Sequence, residues 1–379
     1  MPAIFNTECE LKIVHIITDL NVGGAEIMLL RLLELEASGN NSIIVISLQD
    51  IGPVGKKIQA LGIEVVPMNM FSAKDIPAVL FRLRSALKSY APDLVQTWLY
   101  HADLLGGLAA KLAGVKAVVW GIHCSNVPLG NKTTRWVMKL NSFLSGFIPD
   151  KIVAVAQLSK TNHIGHGYSK DKFVVIPNGF AVTQEKDYAA GFREHYQLPE
   201  NSLLIGVVGR YHPDKGQDVL LAALEQLHED KRWHCIMVGR GCDEANTELM
   251  QLIQGHGLQG RIRLVGEQDN VAHFMSQFDL FCLPSRSEAF PMVLGEAMIR
   301  GCCCISTDVG DSKDLLSDTG LIVPPAEPEL LAHGLKKLLD MDADQRYSLG
   351  QRALSRIKSL YSIEQTVGQY QQLYRELVK

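Results

Sequence analysis

The feature that most constrains this chain is a rhythm. Short, unbroken apolar runs rich in Val and Ile alternate with amphipathic stretches of helical period almost throughout. In the first half the runs are LKIVHIIT (11–18), SIIVISL (42–48), DLVQTW (93–98), KAVVWGI (116–122), KIVAVA (151–156) and KFVVIP (172–177). In the second half they are LLIGVVG (203–209), WHCIMVG (233–239), RIRLVG (261–266), DLFCLP (279–284), CCCIST (302–307) and GLIVP (320–324). A sheet with one wet face shows period-two alternation, whereas runs this continuous predict strands buried on both faces of parallel sheets. Two successive sets of six predict an α/β protein with two doubly wound domains, over 1–180 and 201–360. The segment NGFAVTQEKDYAAGFREHYQLPE (178–200) breaks the rhythm and makes 181–200 the linker. After GLIVPP only helical pattern remains, over 327–379.

Composition narrows the function classes. A chain of 379 residues suits two domains of ordinary size, and 47% hydrophobic with 21% charged residues is the balance of a globular protein. A net charge near −4 provides no global basic field, which argues against nucleic acid as a partner. The start, MPAIFNTECELKIVHII, lacks a basic segment followed by a long apolar one, and no apolar run approaches a membrane span, so a cytoplasmic place is expected. The eight cysteines include the run Cys302-Cys303-Cys304 but no CxxC pair, the pattern of buried free thiols.

In open α/β sheets ligands sit beyond the carboxyl ends of strands, where helix N-termini present unpaired N–H groups. Four strand-end turns therefore carry the candidate chemistry. The first, TDLNVGGAE, opens a helix with Gly23-Gly24. Adjacent glycines let backbone approach an anion, and the same glycines also serve a plain tight turn. This is not the GxGxxG dinucleotide pattern. The second, VVGRYHPDKGQD, places Arg210 and Lys215 on one turn, a planar fork and a mobile point charge that can grip a diphosphate. Solvated surface cations are the plainer alternative.

The third turn, SRSEAFPMVLGEAMIRG, is expected to start a helix with Pro291 at the first helical position, leaving the N–H groups of Met292, Val293 and Leu294 facing the space beyond the strand. Glu288 then lies before the helix and Glu296 more than a turn inside it. Such a pair brackets a long ligand rather than forming an acid/base dyad. The spacing alone is cheap, since Glu26 and Glu34 share it in an ordinary amphipathic stretch. The fourth turn, WGIHCSN, puts His123 at a strand end, where it either meets substrate or serves the fold.

Gly23-Gly24, His123, GRxxxxK (209–215) and E-x7-E (288–296) occur in an order that resembles retaining GT-B glycosyltransferases of family 4. The resemblance covers essentially the whole chain and is most specific in its second half. It implies two facing Rossmann-like domains with a cleft between them, a last helix near 361–379 crossing back onto the first domain, and a nucleotide-sugar donor held mainly by the second. It assigns Arg210 and Lys215 to the leaving diphosphate, with Gly23 and Gly24, and Glu296 to the ribose. Val265, Gly266 and Glu267 fall to the base, and Glu288 with Ala289, Phe290 and Pro291 to the donor sugar. His123 falls beside the transferred sugar. Tyr100, His101, Asp103 and Asn126 fall to the acceptor side, the acceptor being a saccharide or a lipid-linked sugar of a bacterial surface polysaccharide or glycolipid.

The chemistry is consistent with that assignment. Departure of a nucleoside diphosphate builds negative charge, which fixed cations and helix amides stabilise, so no cofactor and no metal is expected. The only repeated-acid run, Asp340-Met-Asp342-Ala-Asp344, lies in the helical tail and reads as a helix-capping turn. Two rivals remain open: a nucleotide-sugar 2-epimerase of the same fold, and a two-domain sugar-binding protein without chemistry. Two stretches, 81–90 and 131–147, combine basic and apolar residues. They fit either peripheral contact with the cytoplasmic face of a membrane or two ordinary amphipathic helices packed on the sheet.

Overall fold

The computed structural model describes residues 11–37, 39–124, 132–181, 191–288 and 290–379. The chain divides into two compact units, one comprising Met1–Gly179 with Ile363–Lys379 and the other Phe180–Ser362. Each is an α/β unit built on one parallel sheet.

The first unit holds β1 (Lys12–Ile17), β2 (Ser42–Ser47), β3 (Glu64–Pro67), β4 (Leu94–Trp98), β5 (Ala117–Ile122), β6 (Lys151–Ala154) and β7 (Phe173–Val175). They are ordered β3-β2-β1-β4-β5-β6-β7 and paired in parallel throughout. Six of the seven are the apolar runs of the first half; β3 is not among those runs. It lies at the sheet edge with Glu64 exposed and Pro67 at its end, so it needs neither a continuous apolar run nor a full set of ladder donors.

The second unit holds β8 (Leu203–Val208), β9 (Trp233–Val238), β10 (Ile262–Leu264), β11 (Leu280–Leu283), β12 (Cys303–Thr307) and β13 (Leu321–Val323), all six at the expected runs. Their order is β10-β9-β8-β11-β12-β13, again all parallel. Cys302, Cys303 and Cys304 are buried and outside any disulfide, at and just before the start of β12. The order reverses beside β1 in one sheet and beside β8 in the other, which fixes where strand-end loops diverge and leave room for a ligand.

The helix Ile363–Val378 belongs to the first unit. Ile363, Val367, Tyr370, Leu373 and Tyr374 recur at helical spacing and are buried against the helix Gly24–Glu36 and the core under β1 and β4. A β-carbon on Gly179 would stand 2.6 Å from the Cα of Ile363, so only glycine allows this close approach. Of the segment read as a linker, 182–190 lie outside the described residues. Residues 191–200 are part of the second unit, where the short helix Phe192–His195 sets Phe192 edge-on to Phe274 with ring centroids 5.6 Å apart.

Candidate functional site

In the second unit the turns after β8 and β11 meet at the point where strand order reverses. The chain leaves β8 through a short 3-10 turn, Pro213–Lys215, and enters the helix Gln217–Glu225 through Gly216 at φ +66°. A β-carbon there would lie 2.1 Å from the carbonyl oxygen of Pro284, so the two turns can approach only at glycine. Arg286 fastens them further. Its guanidinium donates to both carboxylate oxygens of Asp218 at 2.7 and 2.6 Å, and its backbone N–H donates to the Asp214 carbonyl at 2.7 Å.

This scaffold brings Lys215 to Glu288. Lys215 Nζ donates to Glu288 Oε1 at 2.7 Å, and Ser285 Oγ donates to the same oxygen at 2.7 Å. The two charged side chains are only 24% and 11% exposed, which strengthens the attraction relative to a surface pair. Arg210 lies exposed on the same turn, where its carbonyl accepts from Gln217 Nε2 at 2.9 Å. The result is a shielded ion pair with an exposed second cation on the same turn. Sequence reasoning placed Lys215 and Glu288 at different parts of a ligand; it did not foresee their direct contact, nor the parts of Ser285, Arg286 and Asp218. The SRSE spelling carries no signal of which side chain turns toward β8.

The turn after β11 departs from expectation in three ways. Pro291 is the N-cap of the helix Met292–Met298, not its first residue. Its carbonyl consequently accepts the N–H of Leu294 at 3.0 Å, so Leu294 offers no free amide to a ligand, leaving Met292 and Val293 as the amides of the first turn. Phe290 is buried, its ring between Phe180 (6.0 Å) and Tyr361 (6.1 Å), so its side chain supports the fold and does not face a sugar. Phe180 in turn covers Gly295, where a β-carbon would stand 2.0 Å from the ring. Glu296 sits half-buried on this helix, and Ala289 lies outside the described residues.

The stretch expected at the base is held by its own backbone. Val265 N–H donates to Met237, Gly266 N–H donates to Cys242, and the Gly266 carbonyl accepts from Gly239. Gly266 has φ +68°. Among these three residues, Glu267 is the exposed one. Asp342, in the acid-rich tail run, caps the helix Ala343–Leu360 through a capping box with Gln345.

The first unit treats its strand ends differently. Gly23 is the N-cap of the helix Gly24–Glu36, and the Glu26 carboxylate folds back so closely that a β-carbon on Gly23 would stand 2.3 Å from Oε2. The turn read as an anion site thus holds a carboxylate of the chain itself. Burial raises the pKa of Glu26 to about 7, with an opposing contribution from its own backbone N–H and a further rise from Asp19.

His123 follows β5 and stacks on Trp98, with ring centroids 4.7 Å apart and planes at 21°. Both its nitrogens are buried without a hydrogen-bond partner among the described residues, and burial lowers its pKa to about 3, so the ring is neutral. Trp98 is held in turn by its indole N–H, which donates to His15 Nδ1 at 3.2 Å.

Two acceptor-side assignments are corrected. Asp103 is fully buried: its Oδ1 accepts from Thr97 Oγ1 at 2.6 Å and from the Gly121 N–H at 3.2 Å, and burial raises its pKa to about 8. Tyr100 is buried with its hydroxyl 2.6 Å from His163 Nε2. Both are core residues because the helix Tyr100–Ala113 lies between two other helices on the sheet and turns this side inward. His101 is half-buried and Asn126 lies outside the described residues.

The comparisons with known proteins bear on the family and the fold. A family model described as Glycosyltransferase Family 4 matches residues 22–184, and one described as Glycosyl transferases group 1 matches residues 190–356, so that together they cover most of the chain. N-acetyl-alpha-D-glucosaminyl L-malate synthase of Bacillus anthracis is 25% identical over 49% of this chain and 49% of its own length, so the chain spans about half the length of that relative. UDP-Gal:alpha-D-GlcNAc-diphosphoundecaprenol alpha-1,3-galactosyltransferase of Escherichia coli is 24% identical over 98% of this chain and 99% of its own. The crystal structure of Anabaena Alr3699/HepE in complex with UDP is similar with a TM-score of 0.85 and 22% identity, over 97% of this chain and all of that one, a likeness of fold.

Proposed function

The chain belongs to the group 1, family 4 glycosyltransferases, and from that premise we propose that it moves a sugar, with retention of configuration, from a UDP-sugar to a hydroxyl of a saccharide or lipid-linked acceptor. The reaction serves synthesis of a bacterial surface polysaccharide or glycolipid at the cytoplasmic face of a membrane. The observation that carries the reading is the shielded Lys215–Glu288 pair at the reversal point of the second sheet, with Arg210 exposed on the same turn. The UDP of the HepE complex and the UDP-Gal in the name of the E. coli relative support the donor class.

In this reading an incoming diphosphate draws Lys215 toward itself and joins Arg210 and the first-turn amides of Met292 and Val293. Glu288 is then released to accept hydroxyls of the donor sugar, while Glu296 binds the ribose. The bond from C1 to the diphosphate oxygen breaks, and its electron pair leaves with UDP. The acceptor oxygen bonds to C1 on the same face and passes its proton to a diphosphate oxygen. Neutral His123 adds no positive charge against the cationic character that develops at C1. No metal is needed, since the charge on the leaving group is met by side chains and amides.

The test is the anomeric configuration of the product by NMR, starting from an α-linked UDP-sugar in the presence of EDTA. An α-product formed at the metal-free rate is expected. A β-product would overturn retention, loss of turnover on chelation would overturn metal independence, and inversion at C2 without transfer would make the protein an epimerase.

A further inference from the structure

Three helices of the first unit, Ile76–Tyr90, Tyr100–Ala113 and Lys132–Leu144, lie side by side, the middle one packed against both others. Their charges are one-sided. They carry three, one and three Lys or Arg residues respectively, against a single carboxylate, Asp103, which is buried and uncharged at neutral pH. The chain as a whole is net negative, so this layer is a local reversal of sign. Of the carboxylates that touch this layer, Asp150 lies 3.5 Å from Lys111 on the middle helix and Glu64 accepts from the Tyr90 hydroxyl, which leaves the three cations of each outer helix without an ion-pair partner among the described residues.

The last helix packs Met138, Val137 and Leu144 on the core yet carries a second apolar set that faces outward. Its buried residues are Met138 and Asn141, and the Asn141 amide donates to the Tyr100 carbonyl at 2.8 Å. Trp136, Leu140, Phe143 and, just beyond it, Phe147 form an outward stripe at helical spacing, with Trp136, Phe143 and Phe147 each more than 70% exposed. Phe81 on the first of the three helices is 69% exposed. Lys139 Nζ lies 5.6 Å from the centre of the Trp136 ring, so cation and aromatic ring form one surface. An exposed stripe of large apolar side chains rimmed by cations needs a covering partner.

We infer that this three-helix face docks on an anionic bilayer, with the aromatic stripe entering the headgroup boundary and the cations meeting lipid phosphates. A second copy of the chain is the poorer occupant, because a two-fold contact through this face would set its cations against themselves. The docking face rests on the reading of a lipid-linked acceptor and supplies the surface that brings the enzyme to it. Vesicle binding is measured without sugar transfer, so the two fail separately.

The test is co-sedimentation of the full chain with vesicles of phosphatidylcholine containing about one third phosphatidylglycerol, at ~0.05 M and ~0.5 M salt. Expected are binding at low salt, at least a ~10-fold loss at high salt or on pure phosphatidylcholine, and a similar loss in the double variant Trp136→Ser/Phe143→Ser. Lys132→Glu with Arg135→Glu and Lys139→Glu should abolish binding. All these side chains are exposed, and an unchanged circular dichroism spectrum confirms the fold. Turnover on a soluble acceptor should stay at the parent level. Failure to sediment at low salt, or variants that bind like the parent, would overturn the inference. So would a dimer in the ultracentrifuge that Phe143→Ser dissolves, or displacement from vesicles by short duplex nucleic acid.

Discussion

The two sheets have the same kind of topology and use their strand ends in opposite ways. Beyond β8 and β11, opposite charges are paired at 2.7 Å on largely shielded side chains and a further cation is exposed. In the first unit Asp103, Glu26, His15 and His123 are buried, and burial shifts each toward its neutral form: Asp103 to about 8, Glu26 to about 7, His15 and His123 to about 3. Fixed charge suits a ligand whose own charge changes during reaction. A dry, neutral surround suits a group that must be placed accurately and keep one protonation state. The charged strand ends of the second unit are what the proposed diphosphate site needs.

That contrast can be broken most directly at the charged end. Lys215→Ala should lower turnover by about 10² to 10³-fold, the usual cost of removing one preorganised charge donor, and should weaken UDP binding by calorimetry. Glu288→Ala should depress turnover while leaving UDP affinity nearly intact, and Glu296→Ala should do the reverse. Equal loss of UDP affinity in both glutamate variants would dissolve the division of labour between them.

At the neutral end the sharper measurement is stability against pH. The folded-state pKa of Glu26 is raised from its ordinary 4.5 to about 7, so the folded protein holds a proton that the unfolded chain releases. Stability is therefore full below about 4.5 and falls as pH rises toward 7 and beyond, by at most ~3 kcal/mol for this group. Denaturant titrations of the parent and Glu26→Gln should diverge with rising pH, the variant gaining relative to the parent. Parallel curves would mean that Glu26 is not held neutral.

A smaller effect is expected at Asp103. Asp103→Leu leaves the buried Gly121 N–H without its acceptor and should cost about 1–3 kcal/mol, seen as a lower Tm. Asp103→Asn keeps an acceptor oxygen at the same place and should recover most of that loss. If Asp103→Leu left Tm unchanged, the buried polar network would not be part of what holds β4, β5 and the adjoining helix together.

Much of this was legible in the residues themselves. Twelve of the thirteen strands among the described residues announce themselves as unbroken apolar runs, and the edge strand β3 escapes because an edge needs no such run. Lys215, Glu288 and His123 could be singled out because each follows a strand. Pro291 was misplaced by one position: proline favours the first helical position, but here its ψ of 84° is not helical, so it stands as the N-cap. Tyr100 and Asp103 looked like a polar helix start open to ligand. The packing of that helix between two neighbours buried them instead.

The sequence by itself determined the class of fold and the residues at each strand end, because strand burial and turn chemistry are written in local periodicity and in glycine and proline. It also wrote the basic and aromatic spelling of 131–147. Only tertiary structure decided which charges meet and which are extinguished. Glu288 finds Lys215 across 73 positions because β8 and β11 are neighbours, while burial pushes the pKa of Asp103 up to about 8. It also decided that Trp136 and Phe143 face outward, since periodicity says which residues share a helix face but not which face a distant part of the chain will cover.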